Sequence, residues 1–185
     1  MADQAVSHKI PFMRYNIYSL LLICVVILIA SCRKDKKMEF SSEYKRSHDA
    51  WLDFKSKSAN KYQYTVNQSS VFNFGANTTI TVVNGKITER KFSSYKSDGG
   101  TGQIVITSEW TEDANSIGSH TRGAAAVTMD EVYAKAKNEW LKKRENVKVY
   151  FESKNNGMLS TAGFVPDGCM DDCFEGIHVT SIIQY

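Results

Sequence analysis

Two periodicities organise the chain from residue 40 onward. Over 40–58, FSSEYKRSHDAWLDFKSKS, the residues Phe40, Tyr44, Trp51 and Leu52 recur at helical spacing with charged side chains on the other side, which predicts an amphipathic helix. KYQYTV then reads as a strand, and TTITVV and KITERKF flank Asn84-Gly85. That dipeptide readily takes the positive φ angles of a type I′ turn, so a hairpin is expected there. A second hairpin is expected across SDGGTG, because the β-rich QIVITSEWT follows it. The run 113–126 has no strong period and contains Gly118 and Gly123, so it reads as a loop.

A second helix is specified at its start. Thr128 and Glu131 have capping-box spacing, and Val127 with Val132 supplies a hydrophobic staple. Met129, Val132, Tyr133, Ala136 and Trp140 line one face. Asp130 and Glu131 at the start, with Lys142, Lys143 and Arg144 at the end, complement the helix dipole. Further on, VKVYFES, a turn at KNNG, STAGFV, an acidic loop and GIHVTSIIQY suggest strands with one buried face. The expected fold is therefore α+β, an antiparallel β-sheet meander packed against two helices.

Ahead of these elements, IYSLLLICVVILIA covers 17–30 and closes on Ile29-Ala30-Ser31-Cys32. Fourteen helical residues reach about 21 Å, short of a hydrocarbon core of about 30 Å. Lys9 and Arg14 form a basic region before it, as in a signal peptide with a small-residue cleavage site. The box resembles the lipobox of bacterial lipoproteins, and the resemblance implies that Cys32 is lipidated and becomes the first residue of the mature protein. The expected organisation is a signal peptide (1–31), a lipidated basic tether (32–37) and a single α+β domain (38–185). The competing reading is an uncleaved anchor: four basic residues follow the run against two before it, and the positive-inside rule would then leave 33–185 in the cytoplasm.

By the same resemblance, Arg33 in place of an aspartate after the cysteine implies release to the outer membrane. Lys34-Asp35 matches the start of the surface-display motif of Bacteroidota-type lipoproteins, although Lys36 replaces the second acidic residue. The expected location is the outer membrane, on its periplasmic face or at the cell surface.

Charge changes the picture only once it is located. The formal net charge is +3, but 38–185 carries 17 Lys and Arg against 18 Asp and Glu, a balance of −1. A near-neutral domain with no basic stripe offers little counterion release to a phosphate backbone, which argues against nucleic acid as a partner.

Beyond Cys24 in the leader and Cys32, Cys169 and Cys173 remain. In an oxidising envelope compartment CMDDC reads as a small-loop disulfide. Its acidic neighbours would raise thiol pKa values, against a redox role, and zinc would need two further ligands. Asp167, Asp171, Asp172 and Glu175 share this braced loop, a candidate metal or partner site: Ca²⁺ is the cation such oxygens would hold, though EF-hand spacing is absent. A solvated acidic loop is the plainer reading.

Several pieces together resemble an uncharacterised, domain-of-unknown-function family of bacterial lipoproteins. They are Trp51, Tyr62-Gln63-Tyr64, Val82-Val83-Asn84-Gly85-Lys86, Thr128-Met129-Asp130-Glu131-Val132-Tyr133, Val149-Tyr150-Phe151, and Asp171-Asp172 before Gly176-Ile177. Gly157-Met158-Leu159 stands where that family typically has Gly-Tyr-Pro. The resemblance implies fold and location, and no activity.

His48, His120 and His178 are dispersed and lie in no metalloprotease or nucleophile motif. No phosphate-binding glycine loop is present either. A lipid-anchored, non-enzymatic interaction domain for an envelope protein, peptide or polymer is the leading expectation. The alternatives are a Ca²⁺-stabilised structural module and a hydrolase built on Asp171, Asp172 and His178.

Overall fold

A computed structural model of the chain describes residues 37–70, 74–98 and 100–185. The expected signal peptide with its cleavage box, Cys32 and the expected tether up to residue 36 lie outside the described residues.

Among the described residues, a helix precedes a run of four strands and a second helical segment precedes a run of three. Helix α1 (Ser41–Lys57) leads into β1 (Lys61–Ser69), β2 (Phe74–Val83), β3 (Lys86–Ser97) and β4 (Ile104–Asp113). Helix α2 (Met129–Lys135) continues as a π-helical segment (Ala136–Trp140), followed by β5 (Val147–Glu152), β6 (Thr161–Pro166) and β7 (Glu175–Gln184). Every strand pair is antiparallel. The sheet order β4-β3-β2-β1-β7-β6-β5 joins two meanders through the first and last strands. The expected α+β architecture is what the chain forms.

Local chemistry places the elements. Asn84 and Gly85 both have positive φ, 53° and 76°, as a two-residue turn between β2 and β3 requires. Thr128 Oγ1 accepts from the Glu131 N–H while a Glu131 carboxylate oxygen accepts from the Thr128 N–H, so the capping box is present. One sheet face, including Tyr62, Tyr64, Ile80, Val82, Val149, Ala162 and Ile182, packs on Tyr44 and Trp51 of α1 and on Met129, Val132, Tyr133, Ala136 and Trp140.

Two details depart from the sequence pattern. Leu52 is 46% exposed, and the buried face of α1 is Tyr44, Ser47 and Trp51. Neighbouring helical residues point about 100° apart, so centring Trp51 on the core turns Leu52 out. The second helix also does not stay α-helical to its end: the Leu141 N–H donates to the Ala136 carbonyl five residues back. That wider turn buries the consecutive residues Trp140 (7% exposed) and Leu141 (0%) together, which regular helical rotation would separate.

The first described residues, from Lys37 on, lie beside this turn. The Glu39 N–H donates to the Leu141 carbonyl at 2.8 Å, and the Lys143 N–H to the Lys37 carbonyl at 2.9 Å. No helix among the described residues is long and apolar enough to cross a membrane.

Candidate functional site

Tyr62 and Tyr64 rise from β1 toward the start of α2. The Tyr62 hydroxyl accepts from the Met129 N–H at 3.1 Å, and the Tyr64 hydroxyl donates to the Val127 carbonyl. Trp51 Nε1 donates to Asp130 at 2.9 Å, and Lys55 Nζ pairs with the other Asp130 oxygen at 2.6 Å. Burial pushes the Tyr62 phenol up to about 12 and that of Tyr64 up as well, so both stay neutral hydrogen-bonding groups. Trp51, the Tyr-x-Tyr pair and the Thr-x-x-Glu helix start thus meet at one place. They orient α2; Trp51, Tyr62 and Tyr64 are core, whereas Glu131 lines a cleft.

Helix α2 held in this way forms one wall of a cleft of about 560 Å³. The opposing walls come from a split in the sheet. Pairing between β1 and β7 runs from Tyr62–Gln184 to Val66–Val179 and there it ends. Beyond that point β1 keeps only β2, through Ser69–Gly75, and β7 keeps only β6, through Ile177–Ala162 and Gly176–Gly163. Val66 and Gln68 face the helices by strand alternation, whereas Asn67 and Ser69 face the other side. All four line the cleft, as do Gly176, Ile177 and His178, so the cleft lies along the split between the two strands. At its far end the Ser70 hydroxyl donates to Asp172 at 3.3 Å.

The cleft walls are mixed. Val127, Val132, Trp140 and Ile177 provide apolar surface; Glu131, Lys135, Asp172 and His178 provide polar groups. Lys135 Nζ lies 5.1 Å from the centre of the Trp140 ring, a cation–π contact that keeps the ammonium over the aromatic face. His178 stacks on Phe174 with ring centres 4.3 Å apart, and its Nδ1 lies 3.2 Å from Thr161 Oγ1. Burial lowers the His178 pKa, with Glu152 opposing, which favours the neutral ring.

The loop after β4 closes the remaining side, and a buried ion pair pins it. Arg90 and Glu112 are adjacent on β3 and β4, and their side chains are 5% and 0% exposed. Arg90 Nη2 donates to Glu112 at 2.9 Å and to the His120 carbonyl at 2.7 Å, while Nη1 reaches the Ala124 carbonyl at 3.2 Å. Glu112 also accepts from the Gly118 and His120 N–H groups at 2.8 and 2.7 Å. Burial alone would raise the Glu112 pKa. These hydrogen bonds outweigh it and bring the group down to about 2. Trp110 carries the His120 ring stacked at 4.3 Å and the Arg90 guanidinium at 4.7 Å. Gly123, at φ 89°, then lies against Phe92 and Thr78, where any side chain would collide. So anchored, residues 123–125 and 127 become cleft wall.

The acidic loop contributes in part. Cys169 and Cys173 lie at disulfide-bonding distance, their Cα atoms 6.3 Å apart. Of the four acidic candidates only Asp172 lines the cleft; Asp167, Asp171 and Glu175 do not. No cluster of three or more His, Cys, Asp or Glu side chains able to hold a metal occurs among the described residues. Asp172 and His178 share the cleft, but the His178 ring is engaged by Thr161 and Phe174. Sequence reasoning missed the Arg90–Glu112–His120 cluster and the contributions of Lys135 and Trp140 to a cleft.

No protein family, no curated protein and no solved structure matches this chain.

Proposed function

We propose that this chain is a lipid-anchored protein of the cell envelope whose globular part is a non-enzymatic binding domain, and that the split between β1 and β7 is where it binds. The cleft carries this reading. Its volume of about 560 Å³ lies within the range of about 300–1,000 Å³ usual for ligand sites, and apolar walls with a few fixed polar groups are the usual lining. The short apolar run before Cys32, and the resemblance of 29–32 to a lipobox, support anchoring at the outer membrane through acyl chains on Cys32. More than one chain is needed for a stable hold.

Two measurements test the two halves. Labelled palmitate is expected on the wild-type protein and not on Cys32→Ala, which should leave the membrane fraction; unchanged labelling and fractionation refute the anchor. A photoreactive side chain at Lys135 is expected to capture a ligand in intact envelopes, and Ala125→Trp, which narrows the cleft from an exposed wall position, should abolish capture. The same probe at Lys91, on the opposite sheet face, should capture none. Equal yields at both positions would refute the cleft as the site.

A further inference from the structure

We infer that the ligand of this cleft is a short extended segment of a partner protein, held as an added strand against the edges of β1 and β7 where the two are not paired with each other. The inference rests on the cleft reading above and names its ligand class.

Main-chain direction is the first argument. In an antiparallel strand successive residues turn their N–H and C=O groups to opposite neighbours. The Thr65 carbonyl accepts the Thr180 hydroxyl and so faces β7, whereas the Ser70 N–H donates to the Phe74 carbonyl and so faces β2. Ser69 shares the direction of Thr65, which aims its N–H and C=O into the gap. On β7, the Val179 N–H donates to the Ser160 carbonyl on the β6 side. Gly176, three residues away, therefore faces β1 and the gap. The ladder that would join Ser69 to Gly176 is absent, because pairing stops at Val66–Val179. Strand edges not paired with each other on both sides of the cleft match the hydrogen-bonding pattern of an extended peptide.

Side-chain alternation is the second argument. A strand in the gap turns every other residue inward, onto Val66, Val132, Trp140 and Ile177, where an aliphatic side chain fits. The residues between turn to the face of Asn67, and Asp172, which lines the cleft and accepts from Ser70 at its end, is the carboxylate that a lysine or arginine there would reach. The ligand class is thus a peptide alternating aliphatic and basic residues.

The test uses the full-length lipidated protein in detergent and two probes, acetyl-(Lys-Val)₃-amide and the same peptide N-methylated on alternate residues to remove its strand donors. The unmethylated peptide should bind, slow amide hydrogen exchange over 67–69 and 176–178, and lose about tenfold in affinity on methylation. Ser69→Pro removes an N–H aimed at the gap while leaving the β2 ladder intact, so it should weaken binding about tenfold with little change in melting temperature. Replacing Lys by Glu in the peptide should weaken binding, and Asp172→Asn should narrow that difference. Equal binding of both probes overturns the added strand and leaves the cleft reading standing. No binding of either probe, with capture at Lys135 intact, shows that the ligand is not a peptide of this class. Loss of both signals removes both readings. Exchange over 67–69 and 176–178 already slow without peptide, and faster in a variant lacking 33–36, would assign the gap to the chain's own tether and overturn a partner.

Discussion

The phenol oxygen of Tyr62 lies 3.1 Å from the Met129 amide nitrogen and accepts its hydrogen. The first turn of a helix has no internal acceptor for its N–H groups, so a side chain from the central strand takes that place. The contact joins β1 to the helix that walls the cleft.

Tyr62→Phe keeps the ring against Trp51, whose centre is 4.9 Å away, and removes only the acceptor. Leaving a buried donor unsatisfied costs about 1–3 kcal/mol. Urea unfolding should show a loss of this size for Tyr62→Phe and almost none for Tyr150→Phe. Equal midpoints for Tyr62→Phe and the parent would show that the Met129 amide does not depend on this hydroxyl.

Glu112 predicts an acid-sensitive fold. Its pKa is held at about 2 in the folded chain against an ordinary 4.5, so the unfolded chain binds the proton more readily. The stability this group supplies is present above about pH 4.5 and is withdrawn as pH falls toward about 2. Glu112→Ala should cost about 3–5 kcal/mol near neutral pH, because it strands a buried Arg90. Glu112→Gln should be less stable than the parent near neutral pH and show a flatter stability profile between pH 4.5 and 2, followed by denaturant titration at each pH. An unchanged slope would mean that other carboxylates govern acid unfolding.

Gly163 and Gly176 face each other across β6 and β7, and the Phe174 ring lies over both. A methyl group on Gly163 would strike that ring and the Glu175 carbonyl. Gly163→Ala should therefore destabilise by about 1–3 kcal/mol, the usual cost of overpacking. Phe174→Ala in the same chain should recover part of the loss, since it removes one of the two obstacles. A double-mutant cycle by calorimetry measures the coupling; strict additivity would show that the ring is not what excludes the methyl.

Much of the local structure could be read along the chain. The Asn84-Gly85 turn and the Thr128–Glu131 capping box depend on residues within four positions of one another, and both form as their chemistry demands. The Arg90–Glu112 pair was legible in principle. Phe92 and Trp110 mark the inward positions of β3 and β4, and two residues away on the same faces stand a cation and a carboxylate. That signal requires knowing that β3 and β4 pair in this register.

The sequence by itself determined the elements: strands where β-branched and aromatic residues alternate, helices where apolar residues recur each turn, and turns where glycine or asparagine tolerates positive φ. It also set the contrast between a greasy N-terminal run and a near-neutral body. Only the tertiary structure decided that the first and last strands would lie side by side and part after Val66 and Val179. Pairing over more than a hundred residues of chain depends on how both meanders pack against the helices, and no local propensity encodes where two such strands separate. The cleft exists because of that separation, so its residues acquire a shared role only in three dimensions.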